Sequence, residues 1–125
     1  IIKNNIFVFY KNLLDDLINS TGHLNLKENI VEALNTKDNI FLINVMDLII
    51  NDLIQKTVFY IEHQNYIDYT LDKEKKLIQK ISKNKDTKQI LDLQSQINKN
   101  MHLAHKVNLN RSDVLIASLK ELSNI

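Results

Sequence analysis

His102 and His105 stand three residues apart in "QSQINKNMHLAHK", a spacing that places two imidazoles on one helix face within reach of a single metal ion. Such a site needs at least one further ligand, and none is paired with them nearby in the chain. His23 and the Glu62–His63 pair would have to converge on them through the fold. Structural histidines on or near the surface are the expected reading. Carboxylates occur as neighbours at Asp15–Asp16 and again at Asp52 beside Asn51, and paired carboxylates can serve as general acid and base. Here both groups fall on the polar side of amphipathic helices, where solvated acids are expected. No serine, threonine or lysine is flanked by residues that would activate it as a nucleophile. No catalytic, cofactor-binding or metal-ligating residue is therefore assigned, and no cofactor is expected.

Lys73, Lys75, Lys76, Lys80, Lys83, Lys85 and Lys88 form a basic segment that could meet phosphates by nonspecific electrostatics. Asp72, Glu74 and Asp86 interleave with it, so a solvated helix face is the expected role. Charge across the whole chain is nearly balanced, with sixteen basic and fifteen acidic residues and a net charge of +1. That balance gives no prior for nucleic-acid or membrane binding as the main role.

The elements that would position these groups are helices. The chain has no proline, no cysteine and a single glycine, Gly22. Disulfides, thiolate chemistry, glycine-rich phosphate loops and glycine-flanked nucleophile elbows are all excluded. Hairpin turns lean on the residues that are missing, which makes an all-α fold the expectation. Isoleucine, asparagine and lysine make up about two fifths of the 125 residues, a bias of the kind AT-rich coding produces. A chain of this length forms one domain with one core. Beginning at Ile1, it reads as residues 1–125 of a single helical domain taken from a longer protein.

Hydrophobic spacing predicts the elements in turn. "IFVFYKNLLDDLINS" places Phe7, Tyr10, Leu14, Leu17 and Ile18 on one stripe, ending near Gly22. A short helix to about Leu34 follows, with Asn25 as cap and Glu28 three residues on. The longest segment runs from about Asp38 to Gln64. Its apolar runs are broken by Asn44, Asp47, Asn51, Asp52, Gln55 and Lys56 at spacings of three and four, which argues for a central core helix and against a membrane span. "NYIDYT" reads as a connector, with Thr70 or Asp72 capping the helix of "LDKEKKLIQKISKN". Residues 82–88 read as a solvated turn. A helix from Asp86 or Thr87 to about Val107 carries Ile90, Leu93, Ile97, Met101 and Ala104 on one face. The helices over residues 5–18 and 38–64 are apolar over wide arcs that include Phe7, Phe9, Phe41, Phe59 and Tyr60, enough for core and for contact with neighbouring subunits.

The last helix opens in "VNLNRSDVLIASLKEL" and holds the only arginine, Arg111. Asn110 suits the N-cap, and Asp113 at the third helical position faces the positive end of the helix dipole. Leu109 and Val114 have the spacing of a hydrophobic staple, and Val114, Leu115, Leu119 and Leu122 form the apolar face.

This stretch, following "QSQINKNMHLAH", resembles the end of bacterial DNA polymerase III delta-prime subunits of the alphaproteobacterial type. Asn108, Leu109, Asn110, Arg111, Val114 and Leu115 stand at the matching positions, with Asn110 replacing an acidic residue while keeping the capping role. "EALNTKDNIFLINVMDLIINDLI" resembles that family's preceding long helix, with an acidic residue near Asp47. The likeness covers roughly residues 25–60 and 90–123. It implies a clamp-loader collar domain, a compact bundle of five to six helices without catalysis of its own. Such a domain works by packing in the cytoplasm against the other clamp-loader subunits, with DNA met at most indirectly and no membrane. Three alternatives stay open: another helical interaction module, such as the delta or tau/gamma collar domain, a small lysine-rich nucleic-acid-binding protein, and a cytoplasmic helical bundle of neither kind.

Overall fold

The computed structural model describes residues 2–19, 40–106 and 111–123. Among these residues there are five helices and no strand: α1 (Ile2–Asn19), α2 (Ile40–His63), α3 (Asp72–Asn84), α4 (Thr87–Lys106) and α5 (Arg111–Ser123). The all-α bundle expected from composition is what forms. The short helix expected near residues 25–34, with Asn25, Glu28 and Gly22, lies outside the described residues.

Long α2 is the axis of the bundle and packs against α3, α4 and α5, while α1 lies on α3 and touches α5. Between them sits one core, built from Leu13, Leu14 and Leu17 of α1, Met46, Ile50 and Ile54 of α2, Leu77, Ile78 and Ile81 of α3, and matching residues of α4 and α5. Burying a leucine or isoleucine side chain contributes about 1.5–3 kcal/mol, so this set dominates stability. All five residues assigned to the inner face of α4 (Ile90, Leu93, Ile97, Met101 and Ala104) are buried, and so are Leu115, Leu119 and Leu122 of α5. Phe7 departs from expectation. It is 48 % exposed, with the Lys11 ammonium 4.4 Å from its ring centroid, and Leu13 takes a place in the core that spacing alone had not assigned. The reason is length: Tyr10 meets α3 in that helix's first turn, so a residue one turn earlier has no α3 opposite it.

No helix among the described residues is long and apolar enough to cross a membrane. Of the polar residues that interrupt the apolar runs of α2, Asn44, Asn51, Gln55 and Lys56 bond to other helices, whereas Asp47 and Asp52 bond within α2.

With a single glycine in the chain, tight reversals fall to other residues. Gln64 ends α2 with φ 54° and Tyr69 turns the connector with φ 74°, both in the left-handed region that favours glycine or asparagine. The connector is held by Tyr66. Its ring stacks on Tyr60 at 4.7 Å between centroids, and its hydroxyl accepts a hydrogen bond from Gln79 Nε2 at 2.6 Å.

One helix start differs from expectation. Neither Thr70 nor Asp72 caps α3: Leu71 occupies the N-cap and carries no side-chain acceptor, while Thr70 Oγ1 donates to the Ile67 carbonyl. Glu74 compensates in part by accepting from the Leu71 N–H at 2.9 Å, which is half of a capping box. The supposed turn over 82–88 shrinks to Lys85 and Asp86, because α3 continues to Asn84. Asp86 then begins α4 with a complete capping box, accepting from the Gln89 N–H at 2.8 Å while Gln89 Oε1 accepts from the Asp86 N–H at 2.9 Å.

Candidate functional site

The most concentrated polar chemistry lies where α1, α2 and α3 meet. Glu74 follows Leu71 by three residues and precedes Leu77 and Ile78 by three and four, so the helix period puts its carboxylate on the apolar face of α3. It is 1 % exposed. Both of its oxygens accept from Lys56 Nζ at 3.1 Å, one accepts from the Tyr10 hydroxyl, and the other from the Leu71 N–H. Lys56 also pairs with Asp52 at 2.9 Å, one turn back on α2.

Burial is the larger force on the Tyr10 phenol, and its hydrogen bond to the Glu74 carboxylate acts the same way, so its pKa is pushed well above the ordinary tyrosine value. For Lys56, burial acts to lower the pKa, but the bonds to Asp52 and Glu74 outweigh it and leave the ammonium raised. A general base needs an oxygen that a substrate can reach. Glu74 is sealed and fully engaged, so this network locks three helices together and leaves no open position for chemistry. A buried ion pair of this kind fixes which helices meet more than it adds net stability.

Sequence reasoning placed Glu74 among the solvated charges of the lysine-rich segment, and its position on the Leu71–Leu77–Ile81 face was the signal that could have found it. The lysines of that segment are likewise partly inward. Lys73 Nζ binds Asp15 Oδ2 at 2.9 Å. Lys80 Nζ donates to the Leu17 and Ile18 carbonyls at 2.9 and 3.0 Å, satisfying acceptors at the C-terminus of α1, and burial lowers its pKa. Lys75 lies 5.3 Å from the Tyr66 ring centroid. Lys76, Lys83 and Lys88 are exposed. The Asp15–Asp16 pair is not a solvated couple either, since Asp15 is ion-paired and Asp16 is only 8 % exposed.

A second polar seam joins α2 to α4. Gln94 Nε2 donates to Asn51 Oδ1 at 3.0 Å, Gln55 Nε2 donates to Gln94 Oε1 at 3.4 Å, and Asn51 Nδ2 donates to the Asp47 carbonyl at 2.9 Å. Among the described residues no buried side-chain nitrogen or oxygen lacks a partner.

Helix α5 begins at Arg111, which puts Asp113 at its third position, exposed, and Val114 half-buried against the core. Asn110 and Leu109, the expected cap and staple partner, lie outside the described residues. Arg111 Nη1 donates to Asn44 Oδ1 at 3.4 Å, tying the start of α5 to α2. With Asp47, Asn98, Met101 and His102 it lines a small polar cleft of about 290 Å³. His102 is exposed there, whereas the side chain of His105 and all of His23 lie outside the described residues. His63 is also exposed, its ring 4.3 Å from that of Phe59. No group of three or more histidine, aspartate or glutamate side chains able to hold a metal occurs among the described residues.

The surface carries more unexplained apolar area than the interior carries unexplained polarity. Phe41 and Leu48 stand one heptad apart on α2 at 59 % and 71 % exposure, and Phe7, Val8 and Leu103 are each close to half exposed. Between α4 and α5 lies an open cleft of about 420 Å³ lined mainly by apolar side chains. Comparison with protein-family models, with curated proteins and with solved structures finds no match for this chain.

Proposed function

We propose that this chain is a non-catalytic assembly domain, the C-terminal collar domain of a clamp-loader subunit of the delta-prime type. Its role would be to hold neighbouring subunits of the DNA polymerase III clamp loader in place while the sliding clamp is loaded onto DNA in the cytoplasm. One observation carries the assembly part of this reading. Among the described residues every buried side-chain nitrogen and oxygen has a hydrogen-bond partner, while large apolar side chains (Phe7, Val8, Phe41, Leu48 and Leu103) face outward. Apolar exposure of this kind on a well-satisfied core favours contact with another macromolecule. The choice of clamp loader rests on the sequence resemblance of residues 25–60 and 90–123, and a delta or tau/gamma collar domain would use the same surfaces. The alternative of a lysine-rich nucleic-acid binder is weakened by Lys73 and Lys80, whose ammonium groups are engaged by the Asp15 carboxylate and by carbonyls at the end of α1.

Co-expression with the other clamp-loader subunits tests the reading. Co-purification in a stoichiometric complex supports it, and a strictly monomeric chain with no affinity for any subunit overturns it. Oligonucleotide binding that weakens steeply with salt, and is lost when Lys76, Lys83 and Lys88 are neutralised, would favour the nucleic-acid alternative.

A further inference from the structure

The cleft between α4 and α5 has the form of a groove with a charged rim. Leu93, Ile97 and Ala104 supply the apolar part of its α4 wall, with Gln96 and Asn100 as its polar part, and Val114 and Ser118 supply its α5 wall. Its volume, about 420 Å³, falls within the range of about 300–1,000 Å³ usual for ligand-binding clefts. Leu103, half exposed, stands at its edge.

On α5, Asp113, Ala117 and Glu121 follow one another at four-residue intervals along the mouth. Two carboxylates therefore stand about 12 Å apart with only a methyl group between them. Neither is in an ion pair among the described residues. None of the residues lining the cleft is basic. Lys99 and Lys120 belong to the same two helices but lie outside the lining.

We propose that this groove docks an amphipathic helix of a partner protein whose apolar face is flanked by lysine or arginine. Apolar side chains of such a helix at i, i+3, i+4 and i+7 fill the cleft, and one of them packs over Ala117. Basic residues seven or eight apart on its flank meet Asp113 and Glu121. Leu103, Ala117 and the half-exposed Val114 supply the apolar contact, since Leu93, Ile97 and Ala104 are already buried in the core, and the acidic rim selects the sign of the partner and speeds its encounter. The inference deepens the assembly reading and rests on it, by naming the surface and the chemistry of the segment it receives.

Two synthetic helical peptides test it on the full, 15N-labelled chain: one with a leucine face and lysine flanks, the other identical but with glutamate flanks. The lysine-flanked peptide is expected to shift the amide signals of Leu103, Ala117 and Glu121, and to bind about tenfold more tightly than its counterpart, the size of two rim ion pairs. Its advantage falls as salt rises. Joint replacement Asp113→Lys and Glu121→Lys, at two exposed positions, reverses the preference between the peptides. Ala117→Arg, also at an exposed position, blocks both. Equal binding of the two peptides, or shifts confined to other helices, overturns the inference. Concentration-dependent shifts of the same amides without peptide also overturn it, by making a second copy of the chain the occupant. Subunit capture separates the two readings. If wild-type and Ala117→Arg chains capture the clamp-loader subunits equally well, the groove is overturned and the assembly reading stands. If the wild-type chain captures no subunit, the assembly reading itself is overturned.

Discussion

Replacing Glu74 by leucine removes the acceptor shared by Tyr10, Lys56 and the Leu71 N–H, and leaves the tyrosine hydroxyl and the amide without a partner. The expected cost is about 3 kcal/mol in urea unfolding, set by orphaned polar groups more than by lost Coulomb attraction. Tyr10→Phe should then cost at least about 0.5 kcal/mol less in the Glu74→Leu background than in wild type, and strictly additive effects would show that the two are not coupled. The same network predicts alkaline sensitivity. Tyr10 and Lys56 both hold their protons more tightly when folded, so their contributions are complete below pH ~10 and are lost as pH rises through their raised folded-state values. Lys80 acts in the opposite sense, because its folded-state pKa is lowered and the unfolded chain binds that proton more strongly. Between pH ~9 and ~11 wild type should therefore lose more stability than Tyr10→Phe does, and parallel urea-midpoint curves would sink that account.

At the scale of elements, helix ends show how the chain manages with one glycine and no proline. The reciprocal bonds between Asp86 and Gln89 start α4 only two residues after α3 ends, so Asp86→Ala should cost about 1 kcal/mol by thermal unfolding. The start of α3 is the weaker one. Leu71→Ser adds the missing acceptor at a position already 38 % exposed, and should raise stability by about 0.5–1 kcal/mol. A lower melting temperature for that variant would mean that the apolar contacts of Leu71 outweigh a cap. Spacing made the inner faces of α4 and α5 legible, because a helix packed along its length buries every residue on one side. Phe7 was misread for the complementary reason: an apolar stripe marks a face but not where the covering helix begins.

For the whole molecule, stability and assembly separate onto different residues. Phe41→Glu and Leu48→Glu change side chains that are 59 % and 71 % exposed, so the melting temperature should stay within the shift that about 0.5 kcal/mol produces. Capture of partner subunits should fall sharply if α2 presents its outer face to them. Retained capture by both variants would move the interface to other helices. Leu77→Ala, in the fully buried interior, should do the reverse and cost about 3 kcal/mol while leaving the outer faces of the bundle intact.

The helical class, the approximate ends of the described helices and most of the core followed from the chain alone, because they depend on local facts: a period of 3.6, the shortage of turn formers, and acids and amides at helix starts. What tertiary structure decided is which polar residues meet. Tyr10 and Glu74 lie 64 positions apart, Lys80 and Leu17 lie 63 apart, and Asn51 and Gln94 lie 43 apart. Periodicity assigns each of these residues a direction around its own helix and says nothing about the neighbour it will face. Lysines and acids that look solvated in sequence therefore become ion pairs, caps and a sealed carboxylate once the helices pack. The groove between α4 and α5 is decided in the same way: Asp113, Ala117 and Glu121 mark one face of a helix, and only the packing of α4 beside them turns that face into the rim of a cleft.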